Sequence, residues 1–195
     1  SGICGSQLGE IDGKKGKDPY LPHLMGHEGC GEVLKIGPGV KTISVGDKVV
    51  LHWKKGSGIQ SETPSYKWRG KELNAGWVTT FNEYAVVSEN RCTSIDRDIN
   101  NDDAALFGCA VTTAFGVIEN NAKLNLGESV MIVGAGGIGL NIIQASKLKS
   151  GWPIIAVDIF DNRLELAKKF GATHTINSHK NNLEFELSKI IKDES

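Results

Sequence analysis

A glycine-rich turn provides the clearest chemical signal in this sequence. The apolar run 130–133 leads into Gly134, Gly136 and Gly139. In a dinucleotide-binding unit, the first of three such glycines permits a tight turn and the second lets the backbone approach a pyrophosphate. The third lets a helix pack closely on the strand. The pattern therefore predicts a dinucleotide site, and the alternative is a structural strand–helix–strand crossover with no cofactor.

The residues that follow this turn extend the predicted nucleotide site. Gly137 and Ile138 open the helix, where unpaired N–H groups and the helix dipole favour the phosphates. Asp158 ends the next apolar run, nineteen residues after Gly139, and is expected to accept hydrogen bonds from the adenosine ribose. Its carboxylate would repel a 2′-phosphate, which favours NAD over NADP. Arg163 is either a second ribose contact or an exposed helix residue.

Two cysteines and one histidine form a candidate zinc-ligand set, namely Cys4, His27 and Cys109. Two thiolates and an imidazole are sufficient for a catalytic zinc, which keeps its fourth position for water or substrate. The ligands are 23 and 82 residues apart, so spacing alone does not establish a site. Taken singly, each cysteine is more typical of a small buried side chain than of a metal ligand, and the histidine is more typical of a hydrogen-bonded surface group.

Composition narrows the class of protein. The chain has 195 residues, 39% of them hydrophobic, and a net charge of -1, so it can form one large or two small domains. Nucleic acid and anionic membranes are not expected partners at this charge. No apolar run approaches the roughly 20 residues of a membrane helix. Four scattered cysteines favour reduced thiols in a cytoplasmic protein over a disulfide scaffold.

Hydrophobic periodicity divides the chain into two predicted domains, 1–110 and 111–195. The first contains short β-type runs at 31–36, 47–51 and 83–87, which predict a small β-domain. The second alternates helices with strands: strands 129–134, 153–158 and 174–177, and helices 112–122, 137–149, 162–170 and 182–192. Asp161 is expected to cap the helix that Gly171 ends.

Both ends of the sequence suggest a fragment of a longer enzyme. Ser1 is not a methionine, and no opening strand precedes the β-type runs of the first domain. The second domain stops after three predicted strands, which is about half of a doubly wound dinucleotide fold.

Six motifs in order resemble the zinc-dependent alcohol dehydrogenase family of the medium-chain dehydrogenase/reductase superfamily. They are G-I-C-G-S at 2–6, G-H-E-G at 26–29, V-G-D-K-V at 45–49, F-N-E-Y at 81–84, G-C-A-V-T-T at 108–113 and G-A-G-G-I-G at 134–139. The resemblance implies an α/β fold with a β-rich domain. A partial GroES-like β-domain would precede the first half of a Rossmann doubly wound parallel sheet.

The resemblance also implies roles near the metal. Cys4, His27 and Cys109 would bind one catalytic zinc. Glu28 would either approach the metal or support the ligands without binding the metal itself. Ser6 occupies the family's hydroxyl relay position, although a loop serine often bonds only its own turn.

Two further family positions concern the substrate and the nicotinamide. Trp53 resembles the residue that walls the substrate pocket, and its alternative is a core aromatic at a strand end. Thr113 matches a threonine near the nicotinamide, or else it merely ends a turn.

The sequence departs from the family pattern at two places. Gln7 stands where an acidic residue usually orients the zinc-bound histidine; its amide can still form a hydrogen bond but contributes no negative charge to the site. The segment 53–76 lacks the four cysteines that hold a structural zinc in many relatives, so we expect no second zinc. Tyr66, Trp68 and Trp77 are expected to pack this segment instead.

The sequence therefore predicts an NAD-linked, zinc-dependent oxidoreductase that interconverts an alcohol and an aldehyde or ketone. A zinc-free NADPH-dependent quinone or enoyl reductase of the same superfamily is the nearest alternative, and a non-catalytic nucleotide-binding module is another. The expected partner is a small-molecule substrate, and the resemblance implies a homo-oligomer for the full-length protein.

Overall fold

The chain folds as two units, which meet in sequence between Cys109 and Ala110. The computed structural model describes residues 1–193. Among these residues, no helix has the length and apolar character needed to cross a membrane.

The first unit is built from short strands and two short helices. The elements are α1 Gly5–Ile11, β1 Glu28–Glu32, β2 Lys48–His52, β3 Ser65–Trp68, β4 Lys71–Asn74, a 3₁₀ turn Glu89–Arg91, β5 Cys92–Ser94 and α2 Asn101–Leu106. Three of the strands form an antiparallel sheet in the order β1-β2-β5, with Glu28 opposite His52 and Glu32 opposite Lys48. A separate hairpin pairs β3 with β4 through a turn at Arg69 and Gly70, which both have positive φ.

The predicted β-domain is confirmed, but two of its strands are not where the sequence placed them. The predicted strand at 31–36 is wrong, because β1 ends at Glu32. The backbone of Val33 instead forms hydrogen bonds with the backbone of residues 46 and 47. The run 83–87 forms no strand. Its backbone finds other partners, since Val86 N–H donates to the Tyr66 hydroxyl at 2.8 Å.

A π-helical turn, Phe107–Val111, crosses from the first unit into the second. The elements that follow it are α3 Thr112–Gly116, a second π-helical turn Val117–Ala122, β6 Val130–Val133, α4 Gly137–Leu148, β7 Ile154–Asp158, α5 Asp161–Phe170, β8 His174–Asn177 and α6 Leu183–Asp193. The three strands form a parallel sheet in the order β6-β7-β8. These strands and their intervening helices confirm the predicted first half of a Rossmann fold.

Strand β7 lies at the centre of this unit and is buried along its whole length. Ile154 and Ala156 pack with the α4 residue Ile143, whereas Ile155 and Val157 pack on the other face with the α6 residue Ile190. Helices cover both faces, as expected for a parallel sheet. The sheet thereby holds the carboxyl ends of β6 and β7, which carry the glycine turn and Asp158, in fixed register.

Only one of the two predicted end signals of helix α5 is confirmed. It ends at Gly171, whose φ of 124° lies in the region that favours glycine. The prediction that Asp161 caps its start is wrong, since Asp161 is already the first helical residue and its side chain makes no cap hydrogen bond. Its carboxylate instead accepts hydrogen bonds from Asn177 and Lys180.

Candidate metal centre and nucleotide site

The first unit brings together Cys4, His27 and Cys109. One donor atom from each lies within 4.8 Å of the other two, and the two sulfur atoms are 3.9 Å apart. Two sulfurs bound to tetrahedral zinc at about 2.3 Å lie roughly 3.8 Å from each other. The donor set therefore fits a zinc ion, and within the described residues no other group of three or more His, Cys, Asp or Glu side chains has such an arrangement.

Three different elements hold these ligands. Cys4 has an extended backbone and immediately precedes helix α1. His27 immediately precedes strand β1, and Cys109 lies in the π-helical turn 107–111. A π turn inserts one residue into a helix, and such turns are frequent at functional sites. Because the three ligands lie on different elements, the fold brings together segments that are distant in sequence.

Glycines directly before His27 and Cys109, and one two residues before Cys4, permit close contacts around the ligands. A Cβ at Gly26, where φ is 91°, would lie 2.9 Å from the Phe81 nitrogen. A Cβ at Gly108 would lie 2.9 Å from Glu28 Cα, and one at Gly2 would lie 2.7 Å from Glu28 Oε1. Real Cβ atoms essentially never approach other atoms so closely. A larger residue at Gly26 or Gly108 would therefore displace the segment that carries His27 or Cys109, whereas at Gly2 the Glu28 side chain would have to move.

Glu28 is buried between two of these segments. Its main-chain oxygen accepts a hydrogen bond from Gly2 N–H at 3.2 Å, and its Cα lies against Gly108. Gly2 comes two residues before Cys4, and Gly108 directly precedes Cys109. Glu28 thus follows His27 in sequence and lies beside the segments that carry both cysteines.

Ser6 and Trp53 are both accessible. Ser6 is half-buried in α1, and its hydroxyl makes no hydrogen bond to any residue of the described range 1–193. Trp53 follows strand β2 and is 48% exposed, so the alternative of a core aromatic is wrong. Its main-chain oxygen accepts a hydrogen bond from Arg91. Trp68 and Trp77 are also largely exposed, contrary to the expected packing.

Glu89 is a buried carboxylate that sequence reasoning missed. Its Oε1 accepts the N–H groups of Lys41 and Thr42, and its Oε2 accepts that of Ile59, each at 2.7 Å. The hydrogen bond from Ile59, followed by those from Lys41 and Thr42, lowers the pKa of this carboxyl to about 2. Glu89 therefore ties the segment that lacks zinc-binding cysteines to a neighbouring loop, and no local sequence pattern indicates this link.

The glycine turn of the second unit has the predicted tight turn at Gly134 and the predicted close packing at Gly139. Gly134 has a φ of 97°, and its N–H donates to the Val157 oxygen at 2.7 Å. A Cβ at Gly139 would lie 2.9 Å from the Gly134 carbonyl carbon, so α4 packs tightly on the turn. Cβ atoms at Gly136 and Gly137 would meet no atom within 4 Å. The space beside these two residues is therefore open.

Asp158 connects this turn to the end of β7. Its side chain is 4% exposed; Oδ2 accepts Ala135 N–H at 2.8 Å, and Oδ1 accepts the N–H groups of Ile159 and Phe160 at 2.8 and 3.0 Å. Burial raises the pKa of this carboxyl, but the N–H groups of Phe160, Ala135 and Ile159 together hold it below its ordinary value. Because a carboxylate has about four lone-pair sites, some acceptor capacity is left for a ribose hydroxyl.

Three other predicted cofactor residues lie in the same unit. Arg163 is half-exposed in α5, with its guanidinium 3.7 Å from Asp158 Oδ2 and over the Phe160 ring. Ile138 is in the first turn of α4. Thr113 lies inside α3, so the alternative in which it ends a turn is wrong.

Two family models match consecutive parts of the chain. Residues 1–97 match the alcohol dehydrogenase GroES-like domain, and residues 137–195 match the zinc-binding dehydrogenase model. The chain belongs to the zinc-type alcohol dehydrogenase family. This membership confirms the resemblance in six motifs and the two-part fold.

Individual relatives of the chain support its assignment to the alcohol dehydrogenase family. An S-(hydroxymethyl)glutathione dehydrogenase from Synechocystis is 32% identical over 204 residues, which cover 91% of this chain and 54% of that protein. The structure of benzyl alcohol dehydrogenase from Acinetobacter calcoaceticus has a TM-score of 0.82 and 32% identity, covering 97% of this chain and 57% of that one. An alcohol dehydrogenase zinc-binding domain protein from Burkholderia ambifaria has a TM-score of 0.87 and 28% identity, with coverages of 97% and 58%. The chain thus spans little more than half the length of these relatives.

Proposed function

We propose that this protein is a zinc-dependent oxidoreductase that transfers a hydride between an alcohol and NAD, with an aldehyde or ketone as the oxidised product. The observation that carries the proposal is the convergence of Cys4, His27 and Cys109 in a geometry that suits a single zinc ion. A zinc-free reductase has no use for two thiols and an imidazole at one point.

Zinc bound there would supply Lewis acidity toward a substrate oxygen, and NAD would supply the hydride acceptor. Cys4, His27 and Cys109 hold the metal in this proposal, and Glu28 supports them from behind. Ser6 takes the proton from the substrate oxygen and passes it toward solvent, since its hydroxyl is half-buried and can both donate and accept. Trp53 forms one wall of the substrate pocket.

The second unit binds the cofactor in this proposal. The N–H groups at Gly136, Gly137 and Ile138 face the pyrophosphate at the start of α4. Asp158 accepts a hydrogen bond from the adenosine ribose and excludes a 2′-phosphate, which makes NAD the cofactor. Gly134 and Gly139 give the turn its shape. Arg163 contacts the ribose from α5, and Thr113 lies near the nicotinamide.

The remaining parts of the proposal concern the whole protein. We assign metal binding to a domain of residues 1–110 and NAD binding to residues 111–195. The substrate is a small primary or secondary alcohol, for which the names of the relatives suggest benzyl alcohol and S-(hydroxymethyl)glutathione as first candidates. The full-length protein is a homo-oligomer. None of the four cysteines forms a disulfide within residues 1–193, which suits the cytoplasm.

The test is a turnover assay on the zinc-supplemented full-length protein, with NAD and NADP across a panel of alcohols, aldehydes, quinones and enones. We expect NAD-linked alcohol oxidation that disappears in Cys109→Ser and persists in Cys30→Ser, a matched control outside the triad. Quinone or enone reduction with NADPH that survives Cys109→Ser would establish the zinc-free alternative. Nucleotide binding without turnover on any substrate would favour a non-catalytic module.

A further inference from the structure

Gln7 connects two of the three metal ligands. It lies on α1, the helix that begins directly after Cys4, and only 5% of its surface is exposed. Its Oε1 accepts a hydrogen bond from Gly26 N–H, and Gly26 directly precedes His27. One side chain therefore joins the helix that follows Cys4 to the loop that presents His27.

The other end of the Gln7 amide is also held. Its Nε2 donates to Glu10 Oε2 at 2.9 Å, three residues further along α1, while Glu10 Oε1 accepts from Lys15 Nζ at 2.7 Å. An amide offers an acceptor at one end and donors at the other. Because the Glu10 carboxylate fixes the donor end, the acceptor end is directed at Gly26.

The His27 ring receives no comparable support. It makes no hydrogen bond to any side chain or main-chain group in residues 1–193. Histidines that bind metals usually donate their second N–H to a carboxylate or carbonyl, which fixes the ring. Here the polar link reaches the histidine through the backbone of Gly26, whose φ of 91° suits glycine.

We propose that Gln7 and Glu10 act together as a positioning pair that sets the separation of Cys4 and His27, replacing the single acidic residue usual at position 7. The inference rests on the proposed metal site. Outer-shell partners of this kind typically change metal affinity by about 10–100-fold when mutated. The pair contributes that effect without touching the metal.

A charge exchange within the pair provides the test. In Gln7→Glu, a carboxylate oxygen takes the place of the Gln7 Nε2 that donates to Glu10 in the wild type. The carboxylates at positions 7 and 10 then repel each other. In the double variant Gln7→Glu with Glu10→Gln, the carboxylate at position 7 accepts from both Gly26 N–H and the new amide at position 10. We therefore expect zinc affinity to fall about 10–100-fold in the single variant and to be largely restored in the double variant.

Zinc affinity is measured by competition with a chelator, and ligand geometry by the absorption spectrum of the cobalt-substituted protein. Gln144→Glu is the matched control, because Gln144 also bonds a polar side chain three residues away, Asn141, but lies in the second unit. We expect an altered cobalt spectrum in the Gln7 single variant only.

The outcomes separate this proposal from the function it rests on. If the wild-type protein binds zinc and Gln7→Glu binds it equally well, the pair has no positioning role. The same conclusion follows if the single variant is weakened and the charge exchange restores neither affinity nor spectrum. If the wild type binds no zinc, the metal site itself is wrong.

Discussion

Replacing Gly108 with alanine tests whether close backbone contact assembles the metal site. Gly108 lies in the π-helical turn directly before Cys109. An alanine Cβ there would lie 2.9 Å from Glu28 Cα and 3.1 Å from Glu28 Cβ, and closer still to the Leu51 carbonyl oxygen. The obstructing atoms belong mainly to the backbone of strands β1 and β2, so no side-chain rotation relieves the overlap.

The structure sets the size of the effect. Carbon atoms pack at about 3.5 Å or more, so the turn must move at least roughly 0.6 Å from β1. Overpacking of this kind costs about 1–3 kcal/mol, and each kcal/mol lowers the melting temperature of a domain this size by about 4–8 °C. Since metal–ligand distances tolerate only about 0.2 Å, the same movement also weakens zinc binding.

Two assays separate folding from metal binding. Circular dichroism melts without metal report the cost to the first unit, and chelator competition reports zinc affinity. Gly116→Ala is the control, because it makes the same change in a helix where the nearest atom, Asn120 Nδ2, is 3.7 Å away. Alanine there should leave stability unchanged or raise it by up to about 1 kcal/mol.

The reasoning fails if Gly108→Ala melts and binds zinc like the wild type. A lower melting temperature with unchanged zinc affinity would refute only the part of the argument that places Cys109 through this contact.

Three further predictions concern other residues. Gly136→Ala should weaken NAD binding at least about tenfold at unchanged stability, because its Cβ meets open space in the protein but would enter the proposed phosphate site. Gly139→Ala should instead unfold the turn, because its Cβ would overlap the Gly134 carbonyl. Titration calorimetry with NAD and thermal unfolding curves distinguish the two effects. Glu89 stabilises the fold above about pH 4.5, and this contribution is lost as the pH falls toward 2. The melting temperature of Glu89→Gln should therefore be well below that of the wild type at pH 7 and converge with it in acid. Asp158→Ser should raise the ratio of NADP to NAD binding, because Arg163 is then released to pair with a 2′-phosphate, and adding Arg163→Gln should abolish that gain.

The sequence predicted the second unit better than the first. Strand β8 was predicted at its observed bounds, and α4 began where the glycine pattern placed it. These elements follow from local periodicity and punctuation. A parallel strand buried on both faces shows a continuous apolar run, as 154–157 does, which is hard to mistake.

The first unit was harder because its structure depends on contacts between distant residues. Helix α1 carries two glycines, and its apolar residues Leu8 and Ile11 are exposed instead of packed on a core, so its position between Cys4 and the loop before His27 had no clear local signal. The hairpin β3–β4 was not predicted. Its turn at Arg69 and Gly70 has positive φ at both positions but lacks the Asn-Gly or Asp-Gly pair that usually marks such a turn in sequence.

The sequence predicted the ligand residues of the candidate site but not the packing contacts that bring them together. Six motifs identified Cys4, His27 and Cys109 together, and the structure places their donor atoms within reach of one ion. The close contact of Gly108 with Leu51 and Glu28 depends on three-dimensional packing and leaves no trace in spacing.

The metal content of the purified protein tests the central claim most directly. We predict about one zinc per chain, because the triad is a complete protein ligand set for a catalytic zinc. Zinc should be lost in Cys4→Ser and Cys109→Ser, but retained in Cys30→Ser. A wild-type protein without zinc, or one whose zinc survives loss of both Cys4 and Cys109, would contradict the account.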